Sequence, residues 1–196
     1  MKKIVTFAAA AAATLAVVGC TPGASAPTTA PTQGGSTPAT ASPTATDTPT
    51  PTPSTQPLDC GVPVNGKTVN GDITVPKDAK CVLDGVTVNG KISIRDHASL
   101  ELKNAKVTGE IMGDVYENIL ISGGTYNIIN LWNGNTATVE NATIQKLEST
   151  NNHGPQTFNG NNIKGRLQCR DNDPAPTGKG NKTYLGAYFQ CQALGS

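Results

Sequence analysis

The side chains that could perform acid–base chemistry or hold a cation fall in short groups: Asp96 beside His97; Glu110, Asp114 and Glu117; and Asp171-Asn172-Asp173. Glycoside cleavage needs two carboxyl groups converging on one bond, about 5–10 Å apart. Calcium needs roughly six to eight oxygens from a compact loop. Asp171 and Asp173 begin such a loop, but the rest of its spacing is missing. The sequence also lacks Gly-x-Ser-x-Gly, a phosphate-binding Gly-Lys loop and His-Glu-x-x-His. These charges read as solvated turn residues. No catalytic residue is assigned, and neither a metal nor a cofactor is expected.

Thiol chemistry is the stronger signal. There are five cysteines: Cys20, Cys60, Cys81, Cys169 and Cys191. No Cys-x-x-Cys occurs, and His97 and His153 are the only histidines, so zinc ligation is a poor reading. Cys20 stands apart. It follows Lys2-Lys3 and an apolar stretch from Ile4 to Val18, too short to span a bilayer. Val17-Val18-Gly19-Cys20 resembles a bacterial lipobox. That resemblance implies a signal peptide over 1–19, with Cys20 lipidated and forming the mature N-terminus. Several acyl chains on one residue anchor stably, each buried methylene contributing about 0.8 kcal/mol.

The elements that must position the remaining residues come from a repeat. Val64-Asn65-Gly66-Lys67-Thr68-Val69 recurs as Leu83-Asp84-Gly85-Val86-Thr87-Val88 and as Leu102-Lys103-Asn104-Ala105-Lys106-Val107. It recurs again as Ile121-Ser122-Gly123-Gly124-Thr125-Tyr126, Val139-Glu140-Asn141-Ala142-Thr143-Ile144 and Phe158-Asn159-Gly160-Asn161-Asn162-Ile163. The steps are 19, 19, 19, 18 and 19 residues. Units this short cannot each bury a core, so they must stack. After each copy the chain runs through a corner, often Gly, into a second burst of alternation such as Ile73-Thr74-Val75 or Ile92-Ser93-Ile94. The Tyr126 and Ile144 copies lack the corner Gly, which predicts a tighter corner there. Helical periodicity is absent. The expected fold is all-β: a short, right-handed parallel β-helix of about six coils, with rungs about 4.8 Å apart.

Stacking restricts the cysteine pairing. Three connectivities exist for Cys60, Cys81, Cys169 and Cys191, but a disulfide needs Cα atoms within about 7 Å. Cys60–Cys81 and Cys169–Cys191 lie about one coil apart, and the alternatives join opposite ends of the stack. Each bridge is expected to contribute about 3 kcal/mol. Open ends of a β-helix are edges liable to pair with other chains. The Pro174 and Pro176 excursion, followed by Tyr184, Leu185, Tyr188 and Phe189, is expected to cap the last rung. Outward ladders of Thr68 and Asn70, Thr87 and Asn89, and Thr125 and Asn127 flank the second apolar column. With Trp132, in the unusual segment Asn130-Leu131-Trp132-Asn133-Gly134-Asn135, they form a candidate binding face. Trp132 suits stacking on a sugar ring, or filling a gap left by the shortened coil.

Residues 20–57 form the lipidated Cys and a stalk of Thr, Pro, Ala, Ser and Gly, with Asp47 its only charge and nothing large and apolar to build a core. Fully extended it reaches about 115 Å, and as a flexible coil about 35 Å. Its Thr-Pro richness permits O-glycosylation. Residues 58–196 form the β-helix domain. The net charge of +1 gives no electrostatic case for nucleic acid.

The run Asn162-Ile163-Lys164-Gly165-Arg166-Leu167-Gln168-Cys169, with Asp173 to Asn181 and Gln190-Cys191, resembles a C-terminal signature of uncharacterised secreted actinobacterial repeat proteins. Residues 79–85 are similar to their N-terminal coil. The resemblance covers about 62–192 and implies a short parallel β-helix with terminal disulfides, without an activity. More distantly the coils resemble bactofilins, which polymerise end to end. The expected function is a non-catalytic surface lipoprotein: membrane-held through its lipid, with a head that binds envelope glycan or a surface protein. A small glycan-active enzyme and a self-assembling structural protein are the alternatives. Cys20→Ala is expected to move the protein from the membrane fraction to the soluble fraction; unchanged fractionation would contradict lipid anchoring.

Overall fold

A computed structural model describes Cys60 and residues 63–195. Cys20, the leader 1–19, the stalk 20–57 and the boundary at Leu58 lie outside the described residues. The fold is a parallel β-solenoid. Val64–Asn65, Lys80–Asp84, Ser99–Lys103, Asn118–Ser122, Thr136–Glu140, Gln156–Asn159 and Thr177–Lys179 stack in that order as one seven-stranded sheet. A second sheet wraps the other side. Its strands begin at Thr68, Thr87, Lys106, Thr125, Thr143, Asn162 and Lys182. In the coils of Lys106–Asp114, Thr125–Trp132 and Thr143–Thr150 the strand passes the corner unbroken.

Register follows the repeat. Leu83 stands on Leu102, Leu102 on Ile121, Ile121 on Val139 and Val139 on Phe158. Val88, Val107, Tyr126, Ile144 and Ile163 form the next column, and Ile73, Ile92, Ile111, Ile129, Leu147 and Leu167 a third. These inward columns are almost wholly excluded from solvent. Burial of each Leu or Ile stabilises by about 1.5–3 kcal/mol.

The third position of the repeat is Gly or Asn for a backbone reason. Gly66, Gly85, Asn104, Gly123, Asn141, Gly160 and Gly180 all have left-handed φ, between 47° and 68°. Glycine adopts this region without penalty and asparagine more readily than other side chains. At each of the first six, the N–H donates to a carbonyl of the next coil at 2.8–2.9 Å. The corner after the second sheet repeats the device at Asp78, His97, Val115, Asn133, Asn151 and Asp171, with φ 51–61°. The shortened corner is where the spacing puts it: Tyr126 pairs with Val107 but Ile128 pairs with Glu110, so one residue is missing between them.

The stack runs one coil past the about six expected: Thr177–Lys179, Lys182–Thr183 and Ala187–Phe189 continue both sheets as a seventh. The proline-rich stretch is the corner leading into that coil, where Pro174 and Pro176 interrupt no strand. The aromatics do not cap it. Tyr184, Leu185, Tyr188 and Phe189 are 65, 61, 41 and 52% exposed. The end is closed by Cys191, buried, and by a turn of 3₁₀ helix, Gln192–Leu194, with Leu194 and Ala187 packed on the core. Both disulfides form as the stack requires, Cys60–Cys81 and Cys169–Cys191, with Cα separations of 4.4 and 5.2 Å.

Towards the C-terminal end, amides replace aliphatics at two corners. Asn161 Oδ1 accepts from Ala142 N at 3.1 Å, and Asn181 Oδ1 from Asn161 N at 3.1 Å. Likewise Asn172 Oδ1 accepts from Asn152 N, and Gln190 Oε1 from Asn172 N. Their Nδ2 groups donate to main-chain carbonyls, Asn161 to Val139, Asn181 to Phe158 and Asn172 to Ser149. A buried polar group is tolerated when every bond is made. Asn172→Ala would orphan donors and acceptors on both sides, each worth about 1–3 kcal/mol. We expect it to lower unfolding free energy by at least about 2 kcal/mol. Asn89→Ala, on an exposed amide bonded to Asn70 at 2.8 Å, should change it by under about 0.5 kcal/mol. Denaturant titration compares the two; equal losses would contradict the assignment.

Candidate functional site

The predicted binding residues divide between two sides of the solenoid. Thr68, Asn70, Thr87, Asn89, Thr125 and Asn127 point outward before the corner, flanking Val69, Val88 and Tyr126, and all but the half-buried Thr87 are exposed. Asn89 Nδ2 donates to Asn70 Oδ1 at 2.8 Å, but Lys106 and Thr108 occupy the next rung and end the ladder. Trp132 lies past the corner, on the adjoining side, in register between Asp114 and Thr150. The structure therefore does not gather these residues into one face.

Around Trp132 the structure brings together groups that the sequence separates. Thr125–Trp132 turns Ile129 and Leu131 inward, which leaves Asn130 and Trp132 on the outside. The coil beneath presents Glu110, Met112 and Asp114 on the same outward side. Asn130 Nδ2 donates to Glu110 Oε1. Asn133 Nδ2 donates to Asp114 Oδ1 at 2.9 Å, and Asn135 Nδ2 to Glu117 Oε1 at 3.1 Å. The unusual Asn-rich segment is thus the complement of the three carboxylates one rung below, amide on acid at each. Asn151 extends the row by donating to Asn133 Oδ1 at 2.7 Å. Asn130 is 7% exposed, and its Oδ1 has no partner. Trp132 is half-buried in the middle of this array.

Chemically this is a platform. An aromatic ring offers its face, and the planar amides and carboxylates around it offer fixed acceptors and donors. Each carboxylate is already engaged by an amide, unlike the paired, environment-tuned acids that glycoside cleavage uses. Asp96 and His97 sit at the left-handed corner, and Asp171 shares that corner geometry. Among the described residues, no three His, Cys, Asp or Glu side chains converge as metal ligands would.

Beside the platform a shallow groove of about 270 Å³ runs along the corner, with His97, Tyr116, Asn135 and His153 in its lining. Tyr116 is buried beneath Gly134, and its hydroxyl faces Asn152 Oδ1 and Gln156 Oε1, both at 2.9 Å. Burial pushes its phenol well above the ordinary value. A Cβ at Gly134 would lie 2.2 Å from a ring carbon of Tyr116, so Gly134 is fixed by close approach. The tyrosine spans the Gly134 coil and serves as a structural strut.

On the opposite sheet, Glu101 sits between Lys103 at 2.7 Å and Lys80 at 2.8 Å. The hydrogen bond from Lys103, and then that from Lys80, hold its carboxyl down from 4.5 to about 2, and Lys103 is raised in turn. No family model, curated protein or solved structure matches the chain.

The Glu101 group links stability to acid. Its folded value lies below its unfolded one, so its contribution is complete above pH 4.5 and is lost as pH falls from 4.5 toward 2. Glu101→Gln should cost under about 1 kcal/mol at neutral pH, because both lysines are largely exposed. It should also flatten the decline of unfolding midpoint across that acid window. Identical acid limbs in both proteins would contradict the pairing.

Proposed function

We propose that this chain is an extracytoplasmic lipoprotein, held to a membrane through Cys20, whose β-helical head binds an envelope glycan across the side centred on Trp132. One observation carries the binding role: the half-buried Trp132 ring set among three amide–carboxylate pairs. Sugars are bound by stacking of their C–H faces on aromatic rings and by bidentate bonds from planar polar groups to vicinal hydroxyls. The carboxylates make the surface hostile to uronic acids, so the ligand class is a polysaccharide of neutral or amino sugars. Engagement of every carboxylate by an amide favours binding over glycan cleavage. The lipobox-like Val17-Val18-Gly19-Cys20 supports the anchor. Paired cysteines at both ends of the solenoid support an oxidising compartment. Kinship with secreted actinobacterial repeat proteins belongs to the same proposal and rests on the C-terminal signature.

Trp132 is the only tryptophan in the chain, so its fluorescence reports the site directly. Titration with oligosaccharides of N-acetylated and neutral hexoses is expected to shift and saturate the emission, and galacturonate oligomers to leave it unchanged. Trp132→Ala should weaken binding measured by calorimetry by at least tenfold and leave the thermal midpoint within a few degrees. Saturable binding that survives Trp132→Ala, or no binding across such a panel, would refute the assignment.

A further inference from the structure

The last coil presents an apolar surface that the fold does not use. Tyr184, Leu185, Tyr188 and Phe189 are each between 41 and 65% exposed, and they are nearly all of the large exposed apolar residues among those described. Such clustering on a folded surface marks an interaction site. Phe189 is the most telling. Its register partner Cys169 points into the core, but Phe189 takes a left-handed backbone, φ 58°, and turns outward. Bulky side chains avoid that conformation.

The coil directly beneath is basic. Lys164 precedes the corner and Arg166 follows it, and Arg170 ends the strand Leu167–Arg170. Two of these cations lie on the aromatic layer itself. Lys164 Nζ is 4.5 Å from the centre of the Tyr184 ring, and the Arg170 guanidinium is 3.8 Å from that of Phe189. In both cases the charged group itself lies over the ring, and Lys164 Nζ also donates to the Tyr184 hydroxyl at 3.4 Å, so cation and aromatic ring form one surface. The acids of this end, Asp171 and Asp173, belong to the corner beyond Arg170. The last coil adds two exposed lysines of its own, Lys179 and Lys182, so this end of the solenoid combines exposed aromatic and apolar side chains with five cations on two adjacent rungs.

That combination suits an anionic bilayer surface. Apolar and aromatic side chains enter the boundary between headgroups and acyl chains, and lysines and arginines stay at the level of the phosphates. We propose that the C-terminal coil is a docking tip for an anionic phospholipid surface. The inference rests on the proposed envelope location and adds to it a second, reversible contact with the membrane. Contact would also hold the Trp132 side upright, exposed to glycan.

The test uses residues 21–196, which lack the leader and the lipidated cysteine but keep every described core residue, since these all lie between Cys60 and Cys191. Flotation with vesicles of phosphatidylcholine containing one quarter phosphatidylglycerol should carry the protein upward, and pure phosphatidylcholine should carry at least fivefold less. Binding should fall steeply between 50 and 300 mM salt. Leu185→Ser with Phe189→Ser should reduce it at least tenfold, with circular dichroism and thermal midpoint retained. Arg166→Glu, at an exposed side chain, should reduce it several-fold and serves if the double variant fails to fold. Absence of flotation with anionic vesicles overturns the proposal. So does flotation indifferent to these substitutions, or a concentration-dependent dimer that they abolish without any vesicle binding, since the tip would then join two copies. Because this protein carries no lipid, a failed Cys20 anchor leaves the measurement untouched.

Discussion

In-register stacking of each coil on the next is the constraint from which the rest follows. A residue here has no function of its own until its column and its rung are fixed. Both are fixed by one local device, the left-handed residue at the end of each strand of the first sheet. Only Gly and Asn occupy it, the residues that enter the left-handed region at least cost. With the chain turned there every 18 to 20 residues, aliphatic columns close the interior and main-chain bonds close the sheets. What remains outward is a set of flat sides whose decoration can vary freely. That separation of scaffold from surface explains how a head with so monotonous a core carries an acidic, amide-lined platform on one side and an aromatic, basic tip at one end.

The amide ladders show the same logic turned inward. Asn161 over Asn181, and Asn152 over Asn172 over Gln190, place a side-chain carbonyl where it takes the N–H of the rung before. Each member satisfies its neighbour, so polar groups can line a closed corner without loss. They occur in the C-terminal half, where the coils lengthen at their corners and the aliphatic columns give way to Gly178, Thr183 and Ala187.

The period was readable from Val64 to Ile163 because each column repeats a residue class, and the disulfide pairs followed from it. The seventh coil was hidden because its column positions hold Gly178, Thr183 and Ala187, which carry no hydrophobic signal, and because prolines stand in front of it. The aromatic residues there looked like a cap only while that coil was unseen. At the platform, the oddity of Asn130 to Asn135 was plain, but its cause was not. The offsets of these pairs differ, 20 residues for Asn130 with Glu110, 19 for Asn133 with Asp114 and 18 for Asn135 with Glu117, so no single repeat period brings out all three. Trp132 was in turn grouped with a threonine and asparagine ladder that belongs to the neighbouring side.

Whether coils truly lie parallel and in register can be read in solution from nuclear Overhauser contacts on the labelled protein. The account predicts inter-strand contacts of the parallel type between residues one rung apart, joining Val82 to Glu101, Glu101 to Leu120 and Leu120 to Thr138. Short Hα–Hα contacts of antiparallel pairs between these segments, or their absence altogether, would contradict the stack and every site placed on it.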